Sequence, residues 1–399
     1  MTINVQLSQC VLEYDVSLNA KAVIVGAYEH PGRDLPDRSA QQIHAEVALG
    51  ALADAGLGLQ DIDGFFCTGQ LGFGAISLAE YIGLKNLRYT DSTFTGGSSY
   101  LCHVGHAALA VASGKCRIAL VTQGARVRGI VRGAKLAPDT PEYPFEASYG
   151  ETNLGIYALA ARRHMHEYGT TARQLAEVKV AASYHAQFNP NALLQKPVTL
   201  EEVLASPLVA DPLRRLDCCV VTDGGGAVIV TTPEIAAGLK RQSVEILGHG
   251  EAIKHTMSGR LDMTYTAAVW SGPAAFEEAS VTPGDIDYAS IYDSFTITVL
   301  MTLEDLGFCK KGQGGAFAAD GALRIGGRLP INTDGGGLCN NHPGYQGGMV
   351  KIIEAVRQLR GEAHPLVQVE NCRLALAHGT GGGISRLCSA TLILGRGDA

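Results

Sequence analysis

The chain has 399 residues, 46% of them hydrophobic and 18% charged, with a formal net charge of −7. That length points to about two domains of roughly 100–200 residues each, and the composition excludes intrinsic disorder. An acidic balance, with a pI of about 5.9, excludes the basic footprint on which nucleic-acid binding depends. Glycine is in excess, with 49 residues, about 12% of the chain, against an ordinary share near 7%. The glycines cluster at Gly96-Gly97, Gly224 to Gly226, Gly335 to Gly337 and Gly381 to Gly383. Such clusters let backbone approach backbone, or a ligand, closely. Ten cysteines are irregularly spaced with no C-x-x-C pair, which excludes a disulfide scaffold and the usual zinc and redox motifs. Met1 to Asp15 carries no basic n-region or apolar h-region, no apolar run reaches 18 residues, and Gly397-Asp398-Ala399 is no targeting address. The expectation is a soluble cytoplasmic protein with reduced thiols and no bound metal.

In chain order, a helix through Ala51-Leu52-Ala53-Asp54-Ala55 leads by a Gly turn and Asp61-Ile62-Asp63 to a strand at Phe65-Phe66-Cys67. A Gly-rich turn, Thr93 to Tyr100, opens an Ala-rich helix, and Ile118 to Thr122 reads as a strand. Residues about 126–216 form a long insertion with helical patterns over Leu154 to His166 and Ala172 to His185. Its Pro/Asn-rich loops lie at Pro138 to Pro144 and Asn189 to Asn191. Insertions of this length often carry binding surfaces. A second strand, Ala227 to Thr231, follows Asp217-Cys218-Cys219 and Asp223-Gly224-Gly225-Gly226.

The pattern then recurs. Ala275-Phe276-Glu277-Glu278-Ala279 ending in Asp285-Ile286-Asp287, before Ala289-Ser290-Ile291, repeats the first helix and strand at an offset of 224. Gly336 repeats Gly96 at 240, and Asn371 to Leu376 repeats Lys115 to Leu120 at 256. Three matches in order predict an internal duplication. The division is 18–235 and 236–399, each part alternating helix and strand as an α/β layer with a mostly parallel sheet.

Two duplicated α/β halves resemble the thiolase fold, a layered α-β-α-β-α core, and the second half makes the likeness specific. Tyr288-Ala289-Ser290-Ile291-Tyr292-Asp293-Ser294-Phe295 sits where sterol-carrier-type thiolases have a strand ending in His-Asp-Cys-Phe. Glu304 to Cys309 with Gly312-Gln313-Gly314 resembles their next helix and turn. Ile331 to Gly336 through Asn341-His342-Pro343-Gly344 is similar to their Asn-Pro-x-Gly-Gly through Gly-His-Pro segment. Gln358 to Ala363 and Ala377-His378-Gly379 through Gly383 complete the series. The resemblance spans residues 20–397.

The departures narrow it. A thiolase needs a cysteine at the start of the first buried helix, where the helix N-terminus favours the thiolate. Here that slot falls on about Gly97 or Ser98, and Cys102 lies about one turn too far along. Tyr292 replaces the strand-end histidine, Tyr345 replaces the glycine after Gly-His-Pro-x, and no cysteine base stands at His378-Gly379. Two tyrosines at these positions resemble the lipid-transfer-protein-type aldolases of steroid side-chain degradation, which cleave a β-hydroxyacyl-CoA by a retro-aldol reaction.

That resemblance implies an activity without covalent intermediate or added cofactor, the CoA thioester being substrate. It implies Tyr345 at the β-hydroxyl and Tyr292 at Cα and the enolate, or the reverse, with His342 and His378 assisting. Oxyanion donors, worth about 2.7–4 kcal/mol each, fall to Gly97, Ser98 and Ser99 at the helix start and to Asn341. Arg126, Arg128, Arg132 and Lys135 offer charge for the CoA phosphates. The implied partners are a second copy through the thiolase interface and a small OB-fold/zinc-ribbon protein. Two rivals remain open: an acyltransferase or Claisen enzyme using Cys102, and a silent thiolase-like scaffold subunit. His103 and His106 have a spacing that suits a metal, but no carboxylate or cysteine partner is evident nearby in sequence, so a packed helix face is expected.

Overall fold

The structure is a computed structural model that describes residues 20–69, 72–128, 152–255, 262–344, 346–382 and 387–397. Its strands are β1 (Val23–Glu29), β2 (Gly64–Phe66), β3 (Tyr89–Asp91), β4 (Ile118–Ala125), β5 (Leu208–Ala210), β6 (Leu213–Arg214), β7 (Gly224–Thr231), β8 (Val244–Lys254), β9 (Tyr288–Ile291), β10 (Leu374–Gly381) and β11 (Leu387–Arg396). Apart from the β5–β6 hairpin they form a nine-stranded sheet in the order β3-β2-β4-β7-β1-β8-β11-β10-β9. Two arms of this sheet meet where Val23 and Ile24 of β1 pair with Glu245 and Val244 of β8.

The principal helices are α1 (Ala40–Ala55), α2 (Ala75–Ile82), α3 (Ser99–Ala112), α4 (Asn153–Tyr168), α5 (Ala172–Ala186), α6 (Ala268–Ala279), α7 (Thr296–Asp305), the short α8 (Gly336–Cys339) and α9 (Gly348–Leu359). Local chemistry sets their ends. A capping box of Ser39 and Gln42 opens α1, and Gly56, at φ 71°, closes it in the left-handed region where glycine is unstrained.

Strand alternation sorts the layers. In β1, Val23 and Val25 face α1, while Ile24 faces the interior between the arms. In β10, Ala375 and Ala377 face that same interior and Leu376 the opposite side. The interior is filled by α3 and α9, whose Leu101, Val104, Met349 and Ile352 pack on Val121 and Val228 of one arm and Leu392 of the other. Helices α1 and α2 cover the outside of the first arm, and α6 and α7 the outside of the second. The result is the expected α-β-α-β-α layering. The insertion helices α4 and α5, predicted within a few residues of their observed ends, do not cover the arm they leave. Their Tyr157, Leu175 and Val178 join the second arm's outer core with Ala275, Ile297 and Leu300.

Two expectations need correction. The sheet is not mostly parallel: only β2–β3, β2–β4 and β9–β10 pair that way. The connection from β10 to β11 is too short for a crossover, and the insertion leaves β4 and re-enters β7 at the same end, with Ala125 opposite Gly224. The counterpart of Gly96-Gly97 is also not Gly336. Gly347 and Gly348 open α9 as Gly96 and Gly97 precede α3, and the helix starts touch: a Cβ on Gly348 would lie 2.1 Å from the Gly97 carbonyl oxygen. Among the described residues, no helix is long and apolar enough to cross a membrane.

Candidate active site

A cavity of about 840 Å³ opens where β4, β9 and β10 end, beside the turn into α3 and the start of α4. Strand carboxyl ends are the usual place for ligands in α/β sheets. Gly97, Tyr157, Tyr292, His342 and Thr380 are among its walls.

Tyr292 follows β9 directly. Its N–H donates to the His378 carbonyl at 3.0 Å, which continues the β9–β10 ladder. Its hydroxyl lies 2.8 Å from His342 Nε2, with the rings edge-on at 5.3 Å. Burial holds the Tyr292 phenol well above its usual pKa and pushes the His342 ring down to about 4. The pair is therefore a protonated phenol and a neutral imidazole at working pH, a state in which the phenol donates.

Asp293 fixes the pair's register. Its Oδ1 accepts from Gly337 N–H at 2.8 Å and from Lys351 Nζ at 2.6 Å, and its Oδ2 accepts from Leu338 N–H at 3.1 Å. This pins the start of α8, and His342 lies three residues beyond that helix, its N–H bonded to Thr222 Oγ1 at 2.9 Å. A fully buried ion pair whose carboxylate also accepts two backbone N–H groups favours one arrangement of the chain.

Gly97, one of the two positions expected for the cysteine, has no room for a side chain. A Cβ there would sit 2.3 Å from the Thr380 carbonyl oxygen and 2.4 Å from Tyr292 Cζ. The tyrosine ring occupies the space that a side chain at position 97 would take. At the family's late base position, a Cβ on Gly379 would lie 3.0 Å from Gly97 O. Ser98 and Ser99 are buried, and their hydroxyls donate to Thr95 O at 2.9 Å and Gly96 O at 2.7 Å. They are structural hydroxyls, so only their backbone can serve an oxyanion. Cys102 is 1% exposed and is not among the cavity's lining residues; a hydrogen bond with Cys388 and burial drive its thiol pKa up. Cys218 and Cys219, which precede β7, do line the cavity. Burial raises Cys218 to about 12 and Cys219 higher still, so neither is a thiolate.

Other expected residues separate from this group. Asn341 spends its amide elsewhere: Oδ1 accepts from Thr222 Oγ1 at 2.7 Å and Nδ2 donates to Glu29 at 2.9 Å. His378 shares the strand face of Leu376, and its Nδ1 meets Thr391 Oγ1 at 2.9 Å; that hydroxyl in turn lies 3.0 Å from Ser271 on α6. The ring thus faces the outer helix layer, away from Gly97. Arg126 lines the cavity and is exposed, whereas Arg128 pairs with Asp34 at 3.1 Å. Arg132, Lys135 and Tyr345 lie outside the described residues. Gly344 and Gln346, which flank Tyr345, both line the cavity. Gln123 Nε2 donates to Pro343 O at 3.1 Å and Gln346 O at 2.6 Å, and Tyr100 Oη donates to Gln346 Oε1 at 2.8 Å. His106 does have carboxylate partners, Asp91 at 2.6 Å and Glu251 at 3.2 Å, brought from other strands. Among the described residues no group of three His, Cys, Asp or Glu is placed to hold a metal.

Sequence reasoning missed Tyr100, Tyr157 and His44 as cavity residues. All three sit in helices whose apolar spacing reads as core.

Residues 250–396 match the family model described as thiolase C-terminal domain-like. An acetyl-CoA acetyltransferase of Methanothermobacter thermautotrophicus is 34% identical over 372 residues, 90% of this chain and 96% of the relative. The 17-hydroxy-3-oxo-4-pregnene-20-carboxyl-CoA lyase of Mycobacterium tuberculosis is 36% identical over 385 residues, 91% of this chain and 97% of the relative. The solved structure of an Ltp2-ChsH2(DUF35) aldolase superposes with a TM-score of 0.88 at 34% identity, covering 96% of this chain and 100% of that one. The chain belongs to the thiolase-like family, whose members include both an acyl-transferring and a carbon–carbon-cleaving enzyme.

Proposed function

We propose that the protein is a carbon–carbon lyase that cleaves a β-hydroxyacyl-CoA by a retro-aldol reaction. Its substrate carries a steroid or bile-acid side chain, and its products are a shorter acyl-CoA and a ketone or aldehyde. The observation that carries this reading is the Tyr292 ring standing against Gly97, one of the two positions expected for an acyl-transferring cysteine, so that no thiol-bearing side chain fits there. The lyase relative and the aldolase superposition support it; the acetyltransferase relative is the rival that the closed slot disfavours.

In this reading Tyr345 takes the proton of the β-hydroxyl as that oxygen becomes a carbonyl and the Cα–Cβ bond breaks. The bonding electrons pass to Cα and the thioester carbonyl, forming an enolate. Tyr292, held protonated by burial, delivers a proton to Cα, and the neutral His342, whose Nε2 lies 2.8 Å from that hydroxyl, holds the phenol oxygen in position. Tyr345 enters the step as a tyrosinate and leaves it as a phenol while Tyr292 does the reverse, and a proton passed from Tyr345 back to Tyr292 closes the cycle, so no cofactor beyond the CoA thioester is consumed. Backbone N–H groups at the α3 start, around Gly97, and Arg126 at the cavity wall serve the thioester and the CoA charge. The working protein is cytoplasmic, divides near residue 235, and acts as a homodimer joined by an OB-fold/zinc-ribbon partner. The superposed aldolase, whose name carries a second component, ChsH2(DUF35), supports such a partner.

The test is cleavage of a tertiary β-hydroxyacyl-CoA bearing a steroid ring, with such a partner supplied. Tyr292→Phe and Tyr345→Phe are each expected to lower kcat by about 10²–10⁴-fold, the worth of a placed proton-transfer group, while CoA binding persists. Iodoacetamide is expected to leave the wild-type rate unchanged. Cleavage untouched by either substitution overturns the tyrosine roles, and acyl label trapped on Cys102 returns the protein to the acyltransferases.

A further inference from the structure

Asn341 and the hydroxyls of Ser98 and Ser99 are committed to other partners, which leaves the enolate oxygen without the side-chain donors first expected for it. Two of the cavity's other hydroxyls, those of Tyr157 and Thr380, are not used by the proton transfers above. Tyr157, on α4, is 4% exposed and packs against Phe295, with ring centroids 4.6 Å apart and planes tilted by 31°. Thr380, near the end of β10, is 1% exposed, and its Oγ1 has no hydrogen-bond partner in the structure. Both line the cavity together with Tyr292. A buried hydroxyl without a partner is costly unless a ligand or water completes it.

The two are neighbours. The hydroxyls of Thr380 and Ser294 lie close enough to Tyr157 to draw its phenol pKa down against burial. The strict geometry of a bond to Thr380 Oγ1 is nevertheless not met, so that oxygen stays open to a third group. Tyr157 also acts on the ionisation of Tyr292, which places the two phenols in one electrostatic environment. Of the remaining cavity tyrosine, the Tyr100 hydroxyl is occupied by Gln346.

We propose that Tyr157 and Thr380 together hydrogen-bond the thioester carbonyl oxygen of the bound acyl-CoA and stabilise it as the enolate forms. This rests on the retro-aldol reading and gives that reaction its side-chain oxyanion site. Both groups act as donors and neither transfers its proton. Burial pushes the Tyr157 phenol up to about 12, so it stays a donor throughout the working pH range. One of the two donors comes from the insertion and the other from the second arm.

The experiment compares Tyr157→Phe, Thr380→Val and Thr380→Ser in the full chain with its partner, using the steroid β-hydroxyacyl-CoA. Removal of an oxyanion donor is expected to lower kcat by about 10²–10³-fold in Tyr157→Phe and Thr380→Val, with KM little changed. Thr380→Ser, which keeps the hydroxyl, is expected to recover most of the rate. Affinity for an S-alkyl-CoA thioether, which has the CoA but no carbonyl, is expected to be the same in all four proteins. A rate in Tyr157→Phe and Thr380→Val close to wild type, or a parallel loss of thioether affinity, overturns the oxyanion role. Absence of cleavage by the wild type itself overturns the retro-aldol reading instead.

Discussion

Lowering the pH from 7 towards 4 is expected to unfold the protein cooperatively, with the midpoint near pH 5. Burial lowers the pKa of His44, His103, His185, His249 and His342 to about 4 and that of His378 to about 3, from an ordinary 6.5. Each is neutral in the fold and takes a proton readily once unfolded. The unfolded chain therefore binds more protons below pH 6.5, and stability falls as the pH drops through the window from 6.5 to the folded value. At pH 5 the loss is about 2 kcal/mol per histidine, and six such losses reach the whole stability of an ordinary domain, about 5–15 kcal/mol. Glu354, lifted to about 7 by burial, works in the opposite direction and offsets part of this. Near-UV circular dichroism and dye binding across pH 7 to 4 are the measurements. Native near-UV signal retained at pH 4 would show that these rings are solvated or paired in solution.

Placing a cysteine at position 97 is expected to damage the fold rather than restore acyl transfer. The added Cβ meets the Thr380 carbonyl oxygen at 2.3 Å and the Tyr292 ring at 2.4 Å. Overpacking usually costs about 1–3 kcal/mol and sometimes more; here one obstacle is backbone, so about 3 kcal/mol or more is expected for Gly97→Cys. Gly97→Ala is expected to lose nearly as much, because the clash begins at Cβ. Pairing Gly97→Cys with Tyr292→His removes the ring but not the carbonyl, so stability is expected to recover only in part. Thermal melts and trapping with a labelled acyl-CoA decide the matter. A Gly97→Cys protein that melts like wild type and carries acyl label would mean that the slot is open after all.

The layering, the insertion helices and the position of Tyr292 at a strand end were legible because they depend on local periodicity and on motif spacing. Tyr292 and His342 could be named together since both lie in motif segments, and the structure places them 2.8 Å apart. Asn341 was misjudged because the partners that consume its amide, Thr222 and Glu29, are 119 and 312 residues away. For His378 a usable signal existed. Ala375, Ala377 and Gly379 are small, as a strand face against a buried helix requires, and strand parity then sends residue 378 to the other side. Tyr157 left no trace in the sequence, since a tyrosine in an amphipathic helix is indistinguishable from core until the neighbouring cavity is known. The strand directions were misread because a short link and a long insertion both return the chain antiparallel, and neither marks its direction locally.

The insertion's lodging on the second arm has a consequence for synthesis. When a ribosome has translated β7, the apolar faces of α4 and α5 have emerged, but Ala275, Ile297, Leu300 and Leu338, against which they pack, have not. The nascent chain must carry Tyr157, Leu175 and Val178 unburied for at least the 36 residues, 232–267, that separate β7 from α6, and longer until α7 follows. Contacts of such sequence separation close slowly, and exposed apolar helices are targets for chaperones in the interval. A fragment stopped after β7 is therefore a nascent intermediate with an open face, and two fragments cut there must be produced together to become soluble.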